Sequence, residues 1–427
     1  MSTTIEIVRA LWQAPPGTEG AHHARRAVLD TAGTMLAGRT SHQAATVARA
    51  VAAGGGQGVA ARALVLGTAA HALDFDDYED VGSTHPSAPI LGALFACLPQ
   101  TAASMGDLLR AYVAGYEAIL SLGRALTHAH YLRGWHATGT LGAAGAAVAV
   151  ARLLDLSAAQ GGAALSIALT RAGGLKRQFG SDVKALHAGL AAETGVLAGL
   201  LAAQGMRAET DLLTGPDGFL SLMGGVSQDW ADAAPLRITD HPPYAKPWPS
   251  CGYTHRAIEA ALELSRQLGP GGTPSIAAAR LEMPDAYLSV AGFRAPKTEA
   301  QARFSATYCV AAALARGALG PLDFEPDAFQ DPDVQALEAR VEALAYPLPR
   351  GAGDMHPDSP DRLSLTLTDG RELSVSVGAV RGGPGKMLSD AELTAKFTAC
   401  GGRPKDAQAF WTALPDAPFT LFSGLHS

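Results

Sequence analysis

The sequence predicts a mainly α protein with a smaller α+β domain, and three observations predict it. Alanine and leucine at helical spacing dominate the first ~240 residues. An alternating apolar–polar texture follows the proline-rich segment HPPYAKPWPSCGYTH. Helical patterning returns in the tail. The expected architecture is a large all-helical domain, 1–245 plus 386–427, carrying a lid-like α+β domain over 246–385.

The elements follow in order. Arg25 to Leu36 has helical spacing and stops at Gly38. Ser41 stands as an N-cap for the next helix. Further helices are expected at 59–78, 88–98, 106–126, 137–154, 157–171 and 185–204, with Gly205 closing the last. Several are apolar nearly all round, which predicts burial among other helices. Gly139, Gly142 and Gly145 predict a close helix approach. A helix over Thr254–Leu268 opens the second part. IAAARLEMP reads as a strand, and LSLTLT and ELSVSVGAV around Asp369-Gly370 read as a hairpin. Helices are expected at 297–316 and 331–343, then in SDAELTAKFTACGG and DAQAFWTAL. No fixed period suggests a solenoid.

The 427 residues are 48% apolar and 17% charged, a composition rich in buried groups. A net charge of −7 without a basic run argues against nucleic acid as a partner. The N-terminus lacks a signal-peptide pattern, and the nearly uncharged run Ala137–Ala151 is too short to span a bilayer. The expectation is a cytoplasmic protein with no membrane partner. Four scattered cysteines (Cys97, Cys251, Cys309, Cys400) form no CxxC, disulfide framework or iron–sulfur pattern.

Sparse charge makes the polar islands informative. In HALDFDDYEDVGSTHPSA, a continuing helix would put His71, Asp74 and Tyr78 on one face. Asp76, Asp77, Glu79 and Asp80 then read as its solvated or structural side, and His85 sits in a turn. The letters DDYED also match the DDxxD magnesium motif of terpenoid synthases. A second acidic motif is missing, however, and aromatics are only 6%. In HYLRGWHATGT, His136 opens an apolar helix, where the dipole favours neutral imidazole. In GLKRQFGSDVKALHAG, Lys184 and His187 lie three residues apart at a helix start, a place suited to an anion. In YAKPWPSCGYTH, prolines brace Lys246, with Cys251 and His255 close behind. In ARFSATYCVAAAL, Tyr308 enters an apolar helix, and an ordinary core tyrosine competes with a functional one. Together these groups offer proton transfer near neutral pH and fixed positive charge for a carboxylate. No phosphate-binding glycine loop, GxSxG or HExxH is present.

At these residues the chain resembles the MmgE/PrpD family, which includes 2-methylcitrate dehydratase, cis-aconitate decarboxylase and iminodisuccinate epimerase. The resemblance runs in order through HALDFDD…HPSA, GWHATGTLGAAGAA, KALHAGLAAETGVLAGLLAAQG, KPWPSCGYTHRAIEAAL, RFSATYCVAAAL and ELTAKF. It implies a helical domain with a smaller α+β domain, a homodimer, and catalysis without metal or other cofactor on a small polycarboxylate. The implied catalytic residues are Asp74, His85, His136 and Tyr308; Lys184, Lys246, Tyr78 and Cys251 would bind substrate. Decarboxylase-like members carry Thr in place of Tyr78 and His in place of Cys251, and their Asp74-to-His85 spacing is one residue shorter. HYLRGWHATGTLG and KPWPSC resemble the epimerase-like branch. The leading expectation is a dehydratase-type lyase that abstracts a proton α to a carboxylate. Epimerisation and decarboxylation follow as alternatives, then a magnesium terpenoid enzyme or a non-catalytic helical scaffold.

Overall fold

Side chains at helix starts set the first elements of the computed structural model, which describes residues 3–425 apart from 14, 226–233, 270, 349–356, 421 and 423. Thr3 and Glu6 form a reciprocal capping box at α1 (Thr4–Trp12). The pattern along the chain did not announce this helix. Next come α2 (Thr18–Gly38) and α3 (His42–Ala53), whose Ser41 cap accepts from the Ala44 amide. Then follow α4 (Val59–His71), α5 (Ser87–Cys97), α6 (Met105–Leu132), α7 (Ala137–Leu153), α8 (Ala158–Arg171) and α9 (Val183–Ala203).

The helix α7 is buried on all sides, among α5, α6, α8 and α9. Its glycines allow this. A Cβ on Gly145 would lie 2.8 Å from the Gly115 carbonyl oxygen of α6, closer than packed atoms sit. Helix α9 is long and apolar enough to cross a bilayer by length and composition, yet 67% of its apolar window is buried inside the fold.

The second part builds a four-stranded mixed sheet in the order β2-β1-β3-β4, from β1 (Ile276–Pro284), β2 (Val341–Tyr346), β3 (Asp361–Leu367) and β4 (Glu372–Val377). β1 runs parallel to β2 with Ala279 opposite Val341, and antiparallel to β3. The β3–β4 pair is the expected hairpin. Helix His255–Leu268 packs on this hairpin, and Ala306–Arg316 packs against β2 and His255–Leu268. The fold is thus mainly α with a smaller α+β part. Its apolar side chains gather chiefly into two cores, one from residues 7–238 and 397–425, the other from 248–377.

Three expectations give way. Helix 59–78 stops at His71, because Asp74 takes a left-handed φ of +50° that no α-helix accommodates. Helix 331–343 ends at Glu338, and VEALAY becomes β2 by pairing with β1. Helix 297–316 breaks between Glu299–Arg303 and Ala306–Arg316, where Ser305 starts the second piece by accepting from the Tyr308 amide.

The tail returns to the helical part. Lys396, on Asp390–Ala399, forms a buried ion pair with Asp30 of α2 at 2.7 Å and donates to the Phe75 carbonyl at 2.7 Å. It braces the turn next to Asp74.

Candidate active site

A pocket lies where the two cores meet. Three helix N-termini approach it, because His85 precedes α5, His136 precedes α7 and Lys184 sits in the first turn of α9. Unpaired N–H groups there favour an anion and disfavour added positive charge on the histidines. Lys246 and Cys251 arrive from the loop before the second core.

Asp74 is the hub. Its Oδ1 accepts from Lys246 Nζ at 2.5 Å and stands 3.2 Å from Lys184 Nζ and 3.7 Å from His85 Nε2. Burial pushes its carboxyl up, but Lys184 and Lys246 together overcome that and hold it well below the usual carboxylate range. Asp74 is therefore a fixed anion and a poor proton acceptor.

The two lysines differ. Lys246 Nζ also donates to the Asp74 carbonyl at 2.9 Å and the Ser250 carbonyl at 3.1 Å. An ammonium has three N–H donors, so Lys246 commits all three to the protein. Lys246 lines the pocket, where the sequence expects it to bind a substrate carboxylate, and its three donors are held here by the protein. Lys184 donates to His71 Nε2 at 3.0 Å and faces Asp74, which leaves at least one N–H for a ligand. Burial lowers its affinity for a proton, and Asp74 partly restores it.

His85 has a readable tautomer. Its Nδ1 lies 2.9 Å from the Asp77 carbonyl, which can only accept, so Nδ1 carries the proton. Nε2 is then a lone pair at the pocket. The His85 amide donates to Thr138 of α7 at 2.9 Å, which holds the residue in place. Burial first, then Lys246 and Lys184, hold its imidazole well below the usual histidine range, so it is neutral at neutral pH. His136 is likewise held low by burial and Lys184. Its Nδ1 meets His187 Nδ1 at 2.9 Å, and its buried Nε2 has no hydrogen-bond partner among the described residues.

Of the acids expected on the solvated or structural side, three take the structural role. Asp76, Asp77 and Glu79 are buried. Asp76 Oδ2 accepts from His71 Nδ1 at 2.8 Å, Asp77 accepts from Ser87, and Glu79 accepts from the Gly82 and Thr84 amides and the Thr84 hydroxyl. The DDxxD reading falls with them, because the segment is not helical and its acids point to separate partners. His71, Asp74, Asp76 and His85 could offer four ligand atoms within 4.8 Å. Two ammonium groups stand at Asp74 Oδ1, and Asp74 Oδ2 and Asp76 Oδ1 are buried without a hydrogen-bond partner among the described residues.

Tyr78 lines the pocket and its backbone bridges Tyr244. Its hydroxyl lies against Gly383, where a Cβ would come within 3.1 Å of it. Cys251 lines the pocket too, its thiol pushed up to about 12 by burial. Phe179 and Phe304 add apolar walls. Tyr308 is not there: it is buried in the second core, and its hydroxyl donates to the Asp323 carbonyl. The structure thus places Tyr308, expected to be catalytic, away from the pocket lining with its hydroxyl satisfied. Conversely, the helical face in the sequence put His71 beside Asp74 but gave it no role, and nothing local marked Asp76 as its partner.

Residues 11–232 match the MmgE/PrpD N-terminal domain and residues 248–410 the MmgE/PrpD C-terminal domain. The chain belongs to the MmgE/PrpD family. Relatives include cis-aconitate decarboxylase of Mus musculus, 29% identical over 357 residues that cover 79% of this chain and 70% of that protein. The Homo sapiens cis-aconitate decarboxylase is 28% identical over 79% of this chain and 71% of its own length. A cis-aconitate decarboxylase of Aspergillus terreus is 30% identical over 49% of this chain and 46% of its own. These MmgE/PrpD relatives are enzymes, and the matches span both cores that build the pocket.

Proposed function

We propose that this MmgE/PrpD chain is a lyase that removes a proton α to a carboxylate of a small di- or tricarboxylic acid and expels the β-hydroxyl as water. The observation that carries this is the unprotonated His85 Nε2 beside the Lys184 ammonium, both facing the fixed Asp74 carboxylate.

The substrate carboxylate meets the converging helix N-termini, and the remaining N–H of Lys184 faces the β-hydroxyl. His85 Nε2 takes the α-proton, and Asp74 faces the imidazolium that forms. The electron pair of the broken C–H bond becomes the new C=C π bond, and the C–O bond breaks with its pair. Lys184 gives one proton to the departing hydroxyl, so water leaves. Returning the captured proton from His85 to the Lys184 amine restores the site. Phe179 and Phe304 wall off one side from water.

Decarboxylation is the second reading, favoured by the names of the relatives. There the C–CO₂ bond breaks and Lys184 protonates the carbanion. The departures at Tyr78 and Cys251 weigh against it. Purified protein incubated with β-hydroxy tricarboxylates and with cis-aconitate, followed by proton NMR and carbon dioxide release, separates the two. Alkene formation without carbon dioxide supports dehydration; carbon dioxide from cis-aconitate supports decarboxylation. Inertness toward both classes would overturn the proposal.

A further inference from the structure

Beside the site lies a buried pair of ionisable groups that the proton-transfer scheme leaves unused. His71 closes α4 and is fully enclosed, as is Asp76. Asp76 Oδ2 lies 2.8 Å from His71 Nδ1, and His71 Nε2 lies 3.0 Å from Lys184 Nζ. Lys184 can only donate, so His71 Nε2 accepts and Nδ1 carries the proton, donated to Asp76. A single tautomer satisfies both contacts. The imidazole also lies between the site histidines, its ring centroid 4.6 Å from that of His85 and 5.7 Å from that of His136.

We infer that the Asp76–His71 pair is a positioning dyad that holds Lys184 as an ammonium and aims its remaining N–H into the pocket. The inference rests on the proposed lyase reading only for its catalytic consequence. Physically, the chain of contacts transmits the Asp76 charge to Nζ: the carboxylate fixes the Nδ1–H tautomer, which leaves the Nε2 lone pair facing the ammonium. Without a carboxylate at 76, an amide can present N–H to Nδ1 instead. His71 would then turn an Nε2–H toward Lys184, donor against donor, as when the aspartate of a Ser-His-Asp triad becomes asparagine. Other charged or titratable groups act on Lys184 too. Asp74 favours the ammonium, and Lys246 disfavours it; Cys251, His136 and His187 stand close by. The dyad's effect is therefore isolated by changing position 76 or 71 and leaving those groups alone.

The test reads Lys184 directly. Acetic anhydride is added over a pH series and acetylation of Lys184 is followed by peptide mass spectrometry, since only the amine reacts. In Asp76→Asn, Lys184 is expected to react about tenfold faster at a given pH below its titration point, a one-unit fall in proton affinity. His71→Leu is expected to do the same. His71→Gln can still donate to Asp76 and accept from Lys184, so it is expected to stay near wild type. If a substrate is turned over, the alkaline limb of kcat/KM moves down in pH with the reactivity in Asp76→Asn. Unchanged Lys184 reactivity in folded Asp76→Asn and His71→Leu would overturn the inference. So would a rise in Lys184 reactivity in His71→Gln equal to that in His71→Leu. Should Asp76→Asn fail to fold, the Leu and Gln pair decides alone. Absence of turnover with every acid would sink the lyase reading while leaving this readout intact.

Discussion

Lys246 holds Asp74 at two points, donating to its carboxylate at 2.5 Å and to its own backbone carbonyl at 2.9 Å. The second bond fixes a residue whose φ of +50° costs a non-glycine side chain energy. A contact made across 172 residues thus ends α4, turns the chain and sets the charge at the centre of the pocket.

Lys246→Met should therefore be costly. It leaves Asp74 buried with Lys184 as its remaining ammonium partner, and breaking a buried pair from one side costs about 3–5 kcal/mol. Chemical denaturation checks this. Asp74→Asn tolerates the left-handed backbone better than Asp74→Ala, which adds about 1–2 kcal/mol of backbone strain. Turnover should fall in both Asp74 variants, because the imidazolium loses its facing anion.

The base must be neutral to work. Burial and the two lysines hold His85 well below 6.5. The acid limb of kcat/KM is expected below that value, with activity lost as pH falls and His85 becomes protonated. An acid limb at or above 6.5 would contradict the assignment.

His187 provides a stability counterpart. Its folded value is lowered to about 4 from 6.5, mainly by burial. The unfolded chain takes the proton first, so its contribution is intact above 6.5 and lost as pH drops toward 4. The gap in unfolding free energy between wild type and His187→Asn should be flat above 6.5 and shift against wild type over that window. A flat gap throughout would show that His187 is not held neutral.

Tyr308→Phe separates the sequence expectation from the observed structure. Losing the bond to the Asp323 carbonyl should cost about 0.5–1.5 kcal/mol, with turnover within about twofold of wild type. A hundredfold fall in kcat would restore the catalytic role.

Tyr78→Thr tests the pocket wall. Removing the ring frees space next to Tyr244 and Gly383. Substrate preference and the ratio of alkene to carbon dioxide should change, with a melting temperature that stays close. Unchanged kinetics would place Tyr78 outside substrate reach.

The legible parts of this fold are those decided locally. Ser41 caps α3 as its side chain dictates, and Asp369-Gly370 turns the hairpin. The illegible parts are decided at a distance. VEALAY has helix-forming letters and becomes β2 because β1 pairs with it. The end of α4 is written at Lys246. At the site, Asp74, His85, His136 and Lys184 stood out because charge is scarce around them, and the fold brings all four together. For Asp76, Asp77 and Glu79 the sequence left a solvated and a structural reading open, since acids are usually exposed. Their burial depends on His71, Ser87 and Thr84 folding onto them, partners that no single-helix pattern shows.

The central claim is that His85 takes the α-proton, and hydrogen exchange tests it most directly. The protein is incubated in heavy water with the β-hydroxy di- or tricarboxylic acid it consumes best, and deuterium at the α-carbon is followed by proton NMR. Deuterium incorporation or elimination is expected with wild type, falling at least about a hundredfold in His85→Gln. Exchange or turnover at the wild-type rate in folded His85→Gln would contradict it.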